Sequence, residues 1–418
     1  MSIQAKLINF FDAAVDHSDG EYVDNEQPLC DEHTVLLKTA RQRCQQYGWP
    51  KKRAEAWRYD DCALLSDFAV QRPLQQQHDA WLLDQDLPTG PRLVWLDGVF
   101  CTDLSDVPVG VDVSDEIDWT VWEDFLSAWP KHEVFAAMGL CLQNNFSVVS
   151  LKAGTRIEKL PVYYLFTNTA KSAAVLNLSW RIHESVCCSL QEHLRVQNDE
   201  SLLLLNRCYD VAQTAKFHRD ILCQSACAYF ALVHDWVRVK QAGEYSSMDW
   251  HGGKATVRLC QQVDLLAADA QARLHGLAHP EKSAFVQQLL SIRHLAAHTL
   301  SRQDFRSVMA YPGKYNFLGR VYVAKDAQCA DAGQISRNLL LDDGGVVYAK
   351  PELEIYTDDV SCTHATTLGH VDADALRYLC SRGLNPVVAL TVLKRGFCEQ
   401  ILSHFSSDVM RSYVQELL

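Results

Sequence analysis

Apolar and polar positions follow three different rhythms along these 418 residues. Near the start they fall at helical spacing. Ile3, Leu7, Ile8, Phe11 and Val15 predict one amphipathic helix, and the interrupting Asp12, with no cleavage-like site after it, argues against a signal peptide. Asp31 to Tyr47 predicts a second helix, with Leu36, Leu37, Ala40 and Cys44 on one face and Gly48 and Pro50 as its stop. Gln75-Gln76-Gln77-His78 reads as loop. From residue 91 the texture changes to short aliphatic and β-branched runs. Val148-Val149-Ser150-Leu151, Val162 to Phe166, Ser201 to Leu205, Tyr229 to Val233 and Trp236 to Val239 are joined by Gly, Asn, Asp and Ser, with no convincing long helix between them. After residue 370 helical spacing returns. Asp372 and Asp374 precede Ala375 to Leu379, and Gly383 with Asn385-Pro386 ends that helix and begins another over 387–403. Met410, Tyr413, Val414 and Leu417 continue an apolar side to the end. The predicted organisation is a helical segment over 1–90, a mainly β core over 91–370, and a helical segment over 371–418. Many short strands can build a sandwich, a barrel or a β-helix, and without a hexapeptide repeat periodicity does not choose among them.

Composition narrows the function classes. Hydrophobic residues at 48% and charged residues at 22% are ordinary globular values, so wholesale disorder is not expected. A formal net charge of -13 argues against phosphate-backbone binding, and no run of 18 apolar residues suggests a membrane span. Fifteen cysteines without a secretion signal point to a reducing compartment such as the cytoplasm. None of them forms Cys-x-x-Cys. The vicinal Cys187-Cys188 pair and the Cys223, Cys227 spacing match neither zinc nor ferredoxin patterns, so a complete cluster site within this chain is not expected.

Chemistry concentrates near the end of the β region. Asp358-Asp359-Val360-Ser361-Cys362-Thr363-His364 sets a thiol and an imidazole two residues apart. On a strand they share a face with Cα atoms roughly 6.5–7 Å apart, a separation two ligands of one metal or iron–sulfur species can span. Cys-x-His alone also describes many core pairs. Asp358 and Asp359 could face iron with carboxylate oxygens, but a turn before the strand is the favoured role. Arg337 is a candidate interface or anion contact, with pairing to a carboxylate favoured, and Asn338 reads as turn support. His294 and His298 are four apart, yet the glutamate of His-Glu-x-x-His is missing, so a core role is favoured. Gly252-Gly253-Lys254-Ala255 lacks the first glycine and the hydroxyl residue of a phosphate loop, and Gly-x-Ser-x-Gly is absent. Cys398, in Gly396-Phe397-Cys398, reads as a core thiol on an apolar helix.

Taken together, Arg337-Asn338-Leu339-Leu340-Leu341, Pro351-Glu352-Leu353-Glu354-Ile355, Asp358-Asp359-Val360-x-Cys362-x-His364 and Ser381-Arg382-Gly383-Leu384 resemble the C-terminal signature of the SufB/SufD family of iron–sulfur cluster assembly proteins. Ala56-Trp57-Arg58-Tyr59 after Lys51-Lys52-Arg53, and Arg92 to Gly98 followed by Leu104-Ser105-Asp106, resemble its SufD branch, whereas Gly-Phe-Cys around Cys398 leans toward the SufB branch. The resemblance implies a right-handed parallel β-helix flanked by helical domains. It implies a non-catalytic scaffold that pairs with SufB through the end of the β-helix and with the SufC ATPase through the C-terminal helices. Cys362 and His364 would then contribute to a transient cluster shared with the partner subunit, ATP would enter only through SufC, and a homodimer is an option for the isolated chain. One departure stands at Ala365, where the family commonly carries Gly. The competing readings are a SufB-like, cluster-holding scaffold and a β-helical carbohydrate-active enzyme.

Overall fold

The structure, a computed structural model, describes residues 31–48, 69–70, 87, 89–142, 146–167, 172–281 and 284–418. Its centre is a parallel β-solenoid of about eight turns in which the chain alternates between two facing sheets, so each turn adds one strand to each. One sheet runs from Phe146–Leu151 through Ser172–Ile182, Leu202–Val211, Phe230–Val239, Thr256–Leu265, Phe285–His294 and Lys314–Val323 to Val346–Ile355. The other runs from Arg156–Phe166 through Cys187–Val196, Lys216–Ser225, Glu244–Gly253, Gln271–Pro280, Leu300–Met309 and Ala330–Leu340 to Val360–His370. The β-helix option is thus the one adopted. Register partners in adjacent turns lie 26 to 32 residues apart in sequence.

The stacking depends on one recurring bend. Ser185, Thr214, Ala242, Asp269, His298 and Cys329 all take left-handed backbone, with φ between 50° and 62°. They form a column at one corner. The amides of Ser185, Thr214 and Ala242 donate to the carbonyls of Gln213, Gln241 and Ala268 in the next turn, and those of His298 and Cys329 to Gln328 and Asp359. The bend turns the chain from one sheet to the other while satisfying its own N–H, which offsets the steric cost of that conformation in residues with a β-carbon.

Inside the solenoid an apolar core runs from Leu93 to Leu340. It also encloses four charges. Arg207 donates to both oxygens of Asp235 (2.8 and 2.9 Å) and to Glu192 (3.1 Å), while Arg219 reaches Glu192 (2.7 Å), Asp235 (3.1 Å) and the Tyr245 hydroxyl (3.0 Å). Burial alone would raise the Asp235 carboxyl, but Arg207 and Arg219 hold it below the usual carboxylate range. A cavity of ≈ 30 Å³, room for about two waters, borders Glu192, Arg207, Cys223 and His251.

Helices cover two flanks. Helix α1 (Asp31–Tyr47) buries Leu36, Ala40 and Cys44, and Gly48 follows it at φ 62°, as the sequence predicts. It packs with α2 (Trp119–Ala128) and α3 (Val134–Leu142) on the outer face of the first sheet. These last two helices lie within the 91–370 span that the sequence pattern assigns to the β core without a convincing helix. The signal is present: Asp118 caps α2, and Trp122, Phe125 and Leu126 fall on one buried face. Conversely, the 1–90 span contributes a two-residue strand, Ala69–Val70, paired with Ser172 and Ala173. The predictions for Met1 to Val15, for Lys51 to Tyr59 and for Gln75 to His78 lie outside the described residues.

At the other end, Asp372 caps α4 (Ala373–Ser381), Gly383 at φ 99° ends it, and Asn385 caps α5 (Pro386–Leu402) with Pro386 in its first turn. Cys398, Ile401 and Leu402 of α5, with Met410 and Val414 of α6 (Asp408–Leu417), pack on Met248, Trp250, Leu277 and Val308 of the second sheet. Cys398 is fully buried there. Arg306 fastens α5 by donating to the Phe397 carbonyl (2.6 Å) and Gln400 (2.7 Å). No helix among the described residues is long and apolar enough to cross a membrane.

Candidate functional site

The two ends of the solenoid differ. At the start, antiparallel strands close both sheets: Val111–Ser114 pairs with Phe146–Leu151, and Val99–Phe100 with Leu93–Leu96. At the finish, Val346–Ile355 and Val360–His370 each pair on one side only among the described residues. Their outer edges present unsatisfied backbone donors and acceptors, which is where a further strand can add.

Cys362 and His364 lie on this last strand, in register with Ala332 and Gln334 of the turn beneath. Ala332, Gln334, Ser336, Asn338 and Leu340 are all buried and alternate with half-buried neighbours, so they point into the solenoid. Cys362 and His364 continue that inward face at the open end, as the two-residue spacing predicts. With no further turn over it among the described residues the His364 side chain is exposed, while Cys362 is half-buried against Val321, Val323 and Ala332. Partial burial pushes the Cys362 thiol above its ordinary value, although a backbone bond with Ala332 pulls the other way. Ala365 sits over Ile335 in the same strand pair.

The neighbouring candidates separate into support roles. Asp358 and Asp359 form the bend that leads into the strand. Asp359 closes the corner column, accepting the Cys329 amide at 2.7 Å and its thiol at 3.1 Å. Arg337 donates to both oxygens of Asp304 at 3.0 Å, on the outside of the second sheet. Asn338 is not in a turn but buried in mid-strand, which corrects the turn-support reading. Its amide nitrogen donates to the Thr367 carbonyl above (3.0 Å) and its oxygen accepts from Ser307 below (2.7 Å). It links the last three turns and anchors the strand that carries Cys362.

His294 and His298 do not converge. The His294 ring is held between the hydroxyls of Thr299 and Ser301, both at 2.8 Å, whereas His298 occupies the left-handed corner. Gly252 and Gly253 end a solenoid strand, in register with Gln224 and Ser225. Sequence reasoning missed a different concentration of donors. Glu133, His234 and Cys260, each buried, bring three ligand atoms within 4.8 Å of one another under α3. No local motif signals them, because His234 and Cys260 lie 101 and 127 residues from Glu133.

A second exposed feature lies on the C-terminal helices. Helix α4 has no buried residue, and Tyr378, Val387, Val388 and Val392 show an uncovered apolar face on α4 and the first half of α5.

A family profile described as SUF system FeS cluster assembly, SufBD core domain, matches residues 180–397, which takes in most of the solenoid turns and the open end. The iron–sulfur cluster assembly protein SufD of Escherichia coli is 27% identical over 398 residues, covering 92% of each chain. The chloroplastic protein ABCI7 of Arabidopsis thaliana is 24% identical, covering 88% of this chain and 83% of its own. A SufBD family iron–sulfur cluster assembly protein of Synechocystis is 24% identical, covering 84% and 83%. With its core profile spanning more than half the chain, this β-solenoid belongs to the SufB/SufD family of iron–sulfur cluster assembly proteins, and it is SufD-like.

Proposed function

We propose that this chain is a non-catalytic scaffold subunit whose open solenoid end meets a SufB-type partner and whose C-terminal helices meet the SufC ATPase. The observation that carries the reading is the inward-facing Cys362 and His364 pair at an uncovered end, beside two unpaired strand edges. Thiolate and imidazole both ligate iron–sulfur species, yet two donors are too few to hold a cluster. The nascent cluster is therefore cargo completed by ligands from the partner subunit. Ligation displaces the Cys362 proton, which partial burial retains in the free chain.

The uncovered apolar face of Tyr378, Val387, Val388 and Val392 supports docking of a partner at the C-terminal helices. In this reading ATP acts only through SufC, shifting the paired subunits so that Cys362 and His364 become accessible to iron and sulfide. A free copy of the chain can pair its open edge with a second copy, giving a homodimer in the partner's absence. Reduced cysteines suit a cytoplasmic setting.

Co-expression with the host's SufB and SufC, read by native mass spectrometry, tests the assembly. The expected result is one complex containing all three chains. Cys362→Ser combined with His364→Ala should retain that mass while iron and sulfide incorporated in anaerobic reconstitution fall several-fold. A chain that captures neither partner removes the scaffold reading, and an undiminished cluster in the double variant removes the ligand role.

A further inference from the structure

We infer that Glu133, His234 and Cys260 form a binding site for a divalent metal ion of Zn²⁺ or Fe²⁺ class, buried between helix α3 and the first sheet. The site shares no residue with the open solenoid end and does not rest on the scaffold reading. It begins with a column on the outer face of the first sheet, in which Asn177, Asn206, His234 and Cys260 occupy the same register position in four successive strands. Helix α3 lies against that column. Asn177 donates to the Gly139 carbonyl and Asn206 to that of Ala136, both at 3.0 Å. The approach is close enough that a β-carbon at Gly139 would stand 2.4 Å from the Asn206 amide nitrogen. Glu133, directly before α3, continues the same line onto His234 and Cys260.

The loop that carries Glu133 is fixed from the other side. Arg43 of α1 donates to the carbonyls of Leu126, Trp129, Pro130 and Lys131, and the Trp129 ring stands edge-on to His234 with centroids 5.3 Å apart. One Glu133 oxygen is 3.2 Å from His234 Nε2, and the other is 4.0 Å from Cys260 Sγ. Ligand pairs around a tetrahedral ion with bonds of 2.0–2.3 Å lie about 3.3–3.8 Å apart. With one ligand atom from each residue the three lie within 4.8 Å of one another, so side-chain movements of about 1 Å bring them to that spacing. One carboxylate oxygen, one imidazole nitrogen and one thiolate form a donor set suited to Zn²⁺ or Fe²⁺, leaving one position to water. Arg258, 2.8 Å from the second Glu133 oxygen, would orient the carboxylate as an outer partner. Binding is a ligand exchange without redox change. The Cys260 proton leaves to solvent, His234 Nε2 offers its lone pair, and the ion takes both bonds together with one to Glu133.

Co²⁺ titration of the full chain under anaerobic, thiol-reduced conditions tests the site, because a thiolate ligand gives Co²⁺ a near-ultraviolet charge-transfer band. One equivalent should develop that band, Zn²⁺ should displace it, and Cys362→Ser should leave it unchanged. Cys260→Ser should abolish it, and His234→Asn should weaken Zn²⁺ binding at least tenfold. X-ray absorption of the wild-type chain with one equivalent of Zn²⁺ should show a single sulfur ligand, a readout that holds even if a variant does not fold. Absence of a thiolate band, or a band that survives Cys260→Ser at full intensity, overturns the proposal. A band lost in Cys362→Ser assigns the ion to the open end, and likewise overturns it.

Discussion

Asp249 offers the sharpest test of the solenoid interior. It points inward from the strand Glu244–Gly253, is fully buried, and neither of its carboxyl oxygens has a hydrogen-bond partner among the described residues. Burial pushes its carboxyl from 3.8 up to about 7, with Arg219 and Arg207 pulling it down and Asp235 and Glu192 pushing it further up. In the unfolded chain the same group ionises near 4. Between about pH 4 and about pH 7 the folded chain therefore holds a proton that the unfolded chain has released, and folding stability falls as pH rises through that window. The window spans about three pH units, and at roughly 1.4 kcal/mol for each the full effect is about 4 kcal/mol. The perturbation is Asp249→Asn, which keeps the shape and removes the titration. Half-buried His193 and buried His251, both depressed to about 4 by burial, add a dependence of opposite sign below neutrality. The variant carries the same histidines, so the difference between the two proteins isolates Asp249. Urea denaturation of both chains from about pH 4.5 to about pH 8 is the assay. The variant should match the wild type at the acid end and exceed it by several kcal/mol at the alkaline end. A difference that stays constant across the range refutes the reasoning, because it would mean that Asp249 titrates alike in the folded and unfolded chains.

Two further predictions concern the elements that define the turns. Arg219→Met leaves Glu192 and Asp235 sharing one guanidinium in the buried interior and should cost about 3–5 kcal/mol, part of which Glu192→Gln should restore by removing the unmatched charge. Thermal unfolding checks this, and a single-variant cost below about 1 kcal/mol would show that water reaches the quartet. At the corner column, Ala242→Val should destabilise by about 1–2 kcal/mol while Ala242→Gly stays near neutral, because a β-branched side chain fits left-handed backbone poorly and glycine fits it freely. Equal urea midpoints for the two variants would mean that the corner backbone relaxes and does not dictate the turn.

The same corner explains what the sequence reveals and what it conceals. Local signals are legible wherever one residue type performs one backbone task. Gly48 and Gly383 stop their helices, Asn385 and Pro386 start one, and Leu36, Ala40 and Cys44 mark a buried helical face. Cys362 and His364 share a face because strand geometry has a period of two. The solenoid repeat is not legible in this way. Its six equivalent corners are occupied by Ser185, Thr214, Ala242, Asp269, His298 and Cys329, six different residue types in one conformation, and the amides of Ser185, Thr214, Ala242, His298 and Cys329 donate to carbonyls of the next turn. A repeat maintained by stacked backbone bonds imposes no shared letter, so self-similarity fades while the register persists. The interior obscures the pattern further, since Glu192, Arg207, Arg219 and Asp235 place charges where a core strand should read apolar. Each is tolerated only because its counter-charge arrives from another strand, 15 to 28 residues away. Glu133, His234 and Cys260 follow the same logic. Nothing near any one of them announces the other two, and they meet only after the sheet has stacked and α3 has settled onto its asparagine column. Helices and the terminal pair are encoded locally, whereas the corner, the charge quartet and the buried triad exist only in the stacked assembly. Substitutions at the second group should therefore act on stacking as well as on the site they touch, and the conservative variants named above, Asp249→Asn, Ala242→Gly and Cys260→Ser, are the ones that separate the two effects.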